Sequence, residues 1–191
     1  MDTQQDERIR LDNLRQGHEP SFRWLVATYE QRVFRTALAL VPTQEDAQDV
    51  TQEVFLEVYR TVGAFRGEAS LATWLYRLTT SRALKKERDR KRKKRFGFLT
   101  SLFDQENIPR FEPPTTQTPD TMLETSERIQ LIDQAVTTLP DKQRIAFTLH
   151  YQEDLSYSEI AAVLQTTVSA VESLLFRARQ ALRQKLSAFE L

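Results

Sequence analysis

Phe22, Leu25, Val26, Tyr29, Val33, Ala37 and Leu38 recur at three- and four-residue spacing, which predicts a helix with one buried stripe. Pro20 suits its first turn, where a missing N–H costs nothing, and Pro42 suits its end. Thr43 predicts the N-cap of a second helix running to about Val62, with Asp46 facing the positive end of the dipole. Ala47, Val50, Val54 and Val58 mark its core face. Gly63 and Gly67 bracket a short loop, AFRGEAS, and Ser70 caps a third helix, LATWLYRLTTSRALKKERD, which grades into a basic run. A shorter helix precedes Gly17.

From Phe96 to about Met122 the pattern breaks. Pro109, Pro113, Pro114 and Pro119 forbid a continuous helix, so this stretch reads as a linker. It also holds Phe96, Phe98, Leu99, Leu102, Phe103, Ile108 and Phe111, which either pack on a neighbouring domain or dock in a partner's channel. Helical periodicity returns after Leu123. One helix ends near Leu139, and Pro140 starts the next, through Ile145 and Leu149. Ser156 and Glu159 form a capping box for a short helix with Ile160, Ala161 and Leu164. After a break at Gln165, Thr166 and Thr167, a last helix sets Val171, Leu175, Ala178 and Leu182 on one stripe. A short helix, a tight turn and a longer basic-ended helix make a helix-turn-helix pattern. The expectation is an all-α chain: two small helical domains, 1–95 and 123–191, joined by a proline-containing linker, 96–122.

Composition agrees, since glycine is scarce and helix formers abound. The net charge of zero hides a segregation: Arg77 to Arg95 carries eleven basic and two acidic residues. A polyanion meets the local patch, so neutrality does not exclude nucleic acid. The chain has no cysteine, which removes disulfide and thiolate chemistry and is compatible with a reducing cytoplasm. The MDTQQDERIR start lacks the apolar core of a signal peptide, and no apolar run approaches a membrane span. His18 and His150, the only histidines, share no metal-ligand spacing, and no glycine loop of phosphate-cradling length is present. The expectation is a cytoplasmic protein that is not an enzyme, with no cofactor, no metal, no small-molecule substrate and no membrane insertion.

Two constellations point to partners. Glu45, Asp49, Glu53 and Glu57 form an i, i+4 ladder of like charge, which destabilises an isolated helix. Gln52, Leu56 and Tyr59 lie beside it, placing apolar groups among carboxylates and suggesting a docking surface for a basic protein. The RKRKKR run attracts phosphate in a salt-dependent way. Just upstream, Phe65, Trp74 and Tyr76 offer aromatic faces on which unstacked bases can sit, although Phe65 and Trp74 also suit a core.

The strings EDAQDVTQEVFLEVYR, FRGEASLATWLYRL, LPDKQRIAFTLHYQEDLSYSEIAAVL and AVESLLFRARQALR, in this order and spacing, resemble extracytoplasmic-function (ECF) RNA polymerase sigma factors of the sigma-70 superfamily. The resemblance implies a first domain equivalent to region 2 and a second equivalent to region 4, with core RNA polymerase and promoter DNA as partners and an anti-sigma factor as a further one. It implies that Asp49, Gln52, Glu53 and Leu56 contact core polymerase. Phe65, Arg66, Gly67, Glu68, Ser70, Trp74, Arg77 and Ser81 would trap bases of the −10 element. Glu172, Ser173, Phe176, Arg177, Arg179 and Gln180 would read the −35 element from the major groove, and the proline-rich segment would thread toward the RNA exit path.

The chain departs from the family pattern in places. Ser81 stands where Asn is usual, Lys85 where Asp is frequent, Gln165 where the turn usually has Gly, and Glu172 and Leu174 where Lys or Arg is common. These departures touch promoter preference rather than fold. Two other functions compete: a stand-alone helix-turn-helix regulator, which leaves the acidic ladder without a task, and a general single-strand binder, which would not need the helix-turn-helix.

Overall fold

The computed structural model describes residues 3–65, 67, 69–101 and 131–187, with side chains for 9–65, 67, 69–92 and 131–187. Helix α1 spans Thr3–Arg15, α2 Glu19–Leu38, α3 Gln44–Thr61 and α4 Leu71–Ser101, with a single 3-10 turn at Val62–Ala64 between α3 and α4. A helical segment over 131–137 (α5) precedes α6 at Asp141–Tyr151, α7 at Tyr157–Leu164 and α8 at Val168–Leu186. Among the described residues there is no strand.

The expected caps at Thr43, Ser70 and Ser156 are present, and Thr167 caps α8 in addition. The Thr43 hydroxyl accepts from the Asp46 amide at 3.1 Å, Ser70 Oγ accepts from the Thr73 amide at 3.1 Å, and Thr167 Oγ1 accepts from the Ala170 amide at 3.2 Å. Each satisfies a donor that the first helical turn would otherwise leave open. Ser156 and Glu159 close a full capping box, with the Ser156 amide donating to Glu159 Oε2 at 2.8 Å. Those hydrogen bonds, side chain before backbone, hold the Glu159 carboxyl below its ordinary range.

Two expectations are corrected. α4 continues past Arg95 to Ser101, into the stretch expected to be linker. No proline interrupts 96–101, and Gly97 weakens a helix without removing a hydrogen bond from it; the linker prolines and residues 102–130 lie outside the described residues. Leu38, expected in the buried stripe of α2, is exposed at the last residue of that helix, and Leu40 and Val41 beyond it are buried instead. The remaining stripe holds, with Leu25, Val33 and Ala37 buried and Phe22, Val26 and Tyr29 packed at its edge.

α2, α3 and α4 pack side by side, and α1 closes one end against α2 and the 3-10 turn. Ala47, Val50, Val54 and Val58 meet Leu71, Leu75, Tyr76 and Ala83 in this core. In the second half α6 and α7 pack on α8, and Ala135, Val136 and Leu139 form a smaller cluster with Ala178 and Leu182. The halves touch. α4 packs on α7, so Leu155, Ile160, Ala161 and Val163 continue the core begun by α2–α4. Polar contacts cross the same seam: Arg77 Nη2 donates to the Ala162 carbonyl at 2.8 Å and Arg144 Nη2 to the Leu40 carbonyl at 3.2 Å.

Candidate polymerase and promoter interfaces

Three carboxylates of the acidic ladder, Asp49, Glu53 and Glu57, meet cations within the protein, whereas Glu45 is exposed with no ion pair among the described residues. α3 and α4 pack against each other, and α4 brings cations to the ladder. Lys86 Nζ lies 2.7 Å from Asp49 Oδ2 and 3.1 Å from Asp46 Oδ1, while Arg82 pairs with Glu57 and lies 3.9 Å from Glu53. Partial burial opposes ionisation of Asp46, but hydrogen bonds from Thr43 and Lys86 outweigh it and hold the carboxyl below its ordinary range. Within the RKRKKR run expected to meet phosphate, Arg90 is engaged with buried Glu87 at 2.8 Å, Lys91 lies 3.7 Å from Asp141 and Arg92 lies 3.9 Å from Asp89. Neither Arg82 nor Lys86 was singled out as a partner of the ladder. Their i, i+4 spacing on α4 matches the spacing of the acids and could have signalled it.

Beside the paired carboxylates the helix presents bare apolar surface. Leu56 is 55% exposed and Tyr59 65% exposed, and Gln52 lies on the same outer face. Phe22 meets the Tyr59 ring edge-on at 5.3 Å, extending the patch onto α2. Asp49, Gln52, Glu53 and Leu56 are all exposed on this helix.

The loop after α3 is built around an aromatic stack. Phe65 and Trp74 lie nearly parallel, centroids 4.6 Å apart and planes 22° apart, both half-buried. Each keeps only part of its surface open. Gly67 adopts φ +76°, a left-handed conformation that a side chain disfavours, which lets the loop turn back toward Ser70. Arg66 and Glu68 lie outside the described residues. Ser70 and Ser81 are exposed, and Tyr76 is buried. Arg77 is committed to the Ala162 carbonyl, so the packing that joins the halves covers one residue expected at the −10 surface.

α7 and α8 meet at 100°, within the range for helix-turn-helix pairs. The turn passes through Gln165 at φ +52°, the left-handed cap that glycine fills more cheaply. Val171, Leu175, Ala178 and Leu182 face inward, leaving Glu172, Ser173, Phe176, Arg177, Arg179 and Gln180 all exposed on the outer side. Phe176 is 62% exposed, a large apolar group among polar and charged neighbours on the outer side of α8. Among the described residues Glu172 has no ion pair. His150 holds a structural place: its Nδ1 lies 3.0 Å from the Leu155 carbonyl, and its ring meets Tyr151 and Tyr157 edge-on.

Comparison with known proteins agrees with this geometry. The Sigma-70 region 2 model matches residues 25–93, and the Sigma-70, region 4 model matches residues 129–182. The chain is 32% identical over 188 residues to the RNA polymerase sigma-H factor of Pseudomonas aeruginosa, covering 96% of this chain and 95% of that protein. It is 30% identical over 190 residues to the ECF RNA polymerase sigma-E factor of Escherichia coli K12, covering 97% of each. The fold resembles that of CnrH, solved with the cytosolic domain of CnrY, at a TM-score of 0.68 and 20% identity over 95% of this chain and 97% of that one. It also resembles the Bartonella quintana sigma factor RpoE, solved with the anti-sigma factor NepR, at a TM-score of 0.64 and 20% identity over 87% and 96%. With regions 2 and 4 in order and whole-length relatives of one kind, this chain belongs to the extracytoplasmic-function RNA polymerase sigma factors of the sigma-70 family.

Proposed function

We propose that the exposed faces of α3, the 62–70 loop and α8 divide the work of promoter-directed initiation between them. Asp49, Gln52, Glu53 and Leu56 dock on core RNA polymerase, with Tyr59 continuing the contact. Phe65, Arg66, Gly67, Glu68, Ser70, Trp74, Arg77 and Ser81 form the surface that takes bases of the −10 element. Glu172, Ser173, Phe176, Arg177, Arg179 and Gln180 read or hold the −35 element in the major groove. The working units are 1–95, a 96–122 connection whose first residues continue α4, and 123–191. The chain supplies recognition and no catalytic group; the polymerase joins the nucleotides. It acts in the cytoplasm, where core polymerase and promoter DNA meet.

The single observation that carries the reading is Leu56 and Tyr59 standing bare beside carboxylates that Lys86 and Arg82 pair only in part. Ion pairs within the protein relieve part of the repulsion and leave a net negative face for a basic partner. The exposed apolar pair still has water to lose on docking. Because Arg77 holds Ala162, engagement of the −10 element through Arg77 requires α7 to leave α4. One solved neighbour of this fold is a sigma factor in complex with the anti-sigma factor NepR, and we extend an anti-sigma partner to this chain.

In vitro transcription with core RNA polymerase and a promoter library tests the function directly. Enrichment of a two-element promoter only when both the chain and core are present is the expected result. Sequence-specific binding to duplex DNA at full affinity without core would overturn it and leave a stand-alone regulator.

A further inference from the structure

Arg15 is the last residue of α1, and nothing in the sequence pattern assigns it a role. Its guanidinium reaches across fifty positions of sequence to the loop that carries Phe65. Nε donates to the Phe65 carbonyl at 2.9 Å and Nη2 donates to the same oxygen at 2.6 Å, while Nη1 is fixed by Asp12 Oδ1 at 2.8 Å. A side chain added at Gly67 would meet Arg15 Nη2 at 3.6 Å, so the guanidinium lies against the loop on both sides of residue 66. The end of α1 also backs the start of the loop, with the Arg15 carbonyl 3.9 Å from where a Gly63 side chain would begin.

Phe65 is consequently held from three directions. Its carbonyl is forked by Arg15, its amide donates to the Val62 carbonyl at 3.1 Å, and its ring stacks on Trp74. A loop that must capture a base gains affinity when it is ordered beforehand, because the ordering entropy is then not charged to binding. Arginine is the residue suited to this: two of its planar N–H groups converge on one oxygen while the third stays anchored, which a lysine cannot do.

We propose that Arg15 is a positioning residue for promoter opening, holding the Phe65–Gly67 loop in its base-capturing shape from outside the DNA-contacting surface. This rests on the reading of that loop as the −10 surface. The ligand is single-stranded −10 DNA, and the expected effect of R15A is about a tenfold loss of affinity for it, the factor that corresponds to ~1.4 kcal/mol. R15K retains the charge and a donor but not the fork, so it recovers part of the loss.

The test uses holoenzyme assembled from the full chain and core RNA polymerase, with a fork-junction probe whose −10 segment is single-stranded and carries the library-selected sequence. Wild type, R15A, R15K and the F65A/W74A double variant are compared for probe affinity, for discrimination against a scrambled −10 segment, and for affinity to core. The expected result is a loss of affinity and of discrimination in R15A, partial recovery in R15K, and core affinity equal to wild type. If F65A/W74A loses capture while R15A keeps full affinity and discrimination, the positioning role is overturned and the loop assignment stands. If F65A/W74A itself captures normally, the loop assignment fails and the role of Arg15 falls with it. A parallel loss of core affinity in R15A and R15K would make Arg15 a general fold contact and overturn the proposal. Should R15A not fold, R15K against wild type is read by the same criteria.

Discussion

The Tyr76 hydroxyl donates to Glu153 Oε2 at 2.8 Å, joining α4 to the turn before α7 across 77 positions of sequence. The Glu153 side chain is 1% exposed, its second oxygen lies 3.6 Å from Arg35 Nε, and that oxygen has no hydrogen-bond partner among the described residues. Burial first, then the bond to Glu153, pushes the Tyr76 phenol well above its ordinary range. A raised pKa means the stabilisation is fully present below about pH 10, where the free phenol titrates, and fades only above it.

Tyr76→Phe should therefore loosen the packing of the two halves. It leaves a buried carboxylate with one fewer donor, at a cost of roughly 1.5–3 kcal/mol. Chemical denaturation should show the loss, and a fluorescence pair placed on α4 and α8 should report a larger mean separation. An unchanged separation would mean that the α4–α7 apolar contact alone holds the seam.

The ion pairs of α3 and α4 make a prediction for acid. Asp46 is held below its ordinary range in the folded chain, so its contribution is present above about pH 4 and is lost as pH falls. Lys86→Gln removes its cation and should move the acid-unfolding midpoint to higher pH. Circular dichroism against pH measures this; identical midpoints would show that Thr43 and the Arg90 charge set the Asp46 carboxyl without Lys86.

Leu56→Ala separates docking from folding. The side chain is mostly exposed, so thermal stability should not change. Core-polymerase affinity should fall roughly 5- to 30-fold, the effect of a 1–2 kcal/mol interface contact. Normal affinity would move the docking surface away from this face of α3.

Gln165→Gly should stabilise the helix-turn-helix. A non-glycine residue in the left-handed region costs roughly 1–2 kcal/mol, against roughly 0.5–1 kcal/mol of extra chain entropy that glycine loses on folding. The net gain expected is about 0.5–1 kcal/mol, read from denaturation of the full chain. A loss instead would assign Gln165 a contact that its exposure does not suggest.

Glu172→Lys tests the reading face of α8. Glu172 is exposed and without an ion pair among the described residues, so the lysine meets phosphate without losing a partner. Nonspecific DNA affinity should rise and its salt slope should steepen by roughly 0.9. Preference at one base pair should relax, because a carboxylate can accept from the cytosine amino group and lysine cannot. A promoter selection with unchanged base preference at matched salt would remove Glu172 from the reading set.

The helices, the Thr43, Ser70 and Ser156 caps, the Val50–Val58 core face and the Val171–Leu182 stripe were all legible in the chain. Each depends on residues three or four positions apart, and such neighbours are set by the helix itself. The exposed outer face of α8 followed from the same periodicity, since whatever is not turned inward on a surface helix is turned out. The tertiary structure decided the rest. That the acidic ladder is partly paired depends on α4 lying against α3, which sets Arg82 and Lys86 opposite carboxylates 25 to 40 positions away. That Arg15 holds Phe65, Tyr76 holds Glu153 and Arg77 holds Ala162 depends on pairs 50, 77 and 85 positions apart. Such contacts have no period to read, because they exist only once the packing of several helices has brought their ends together.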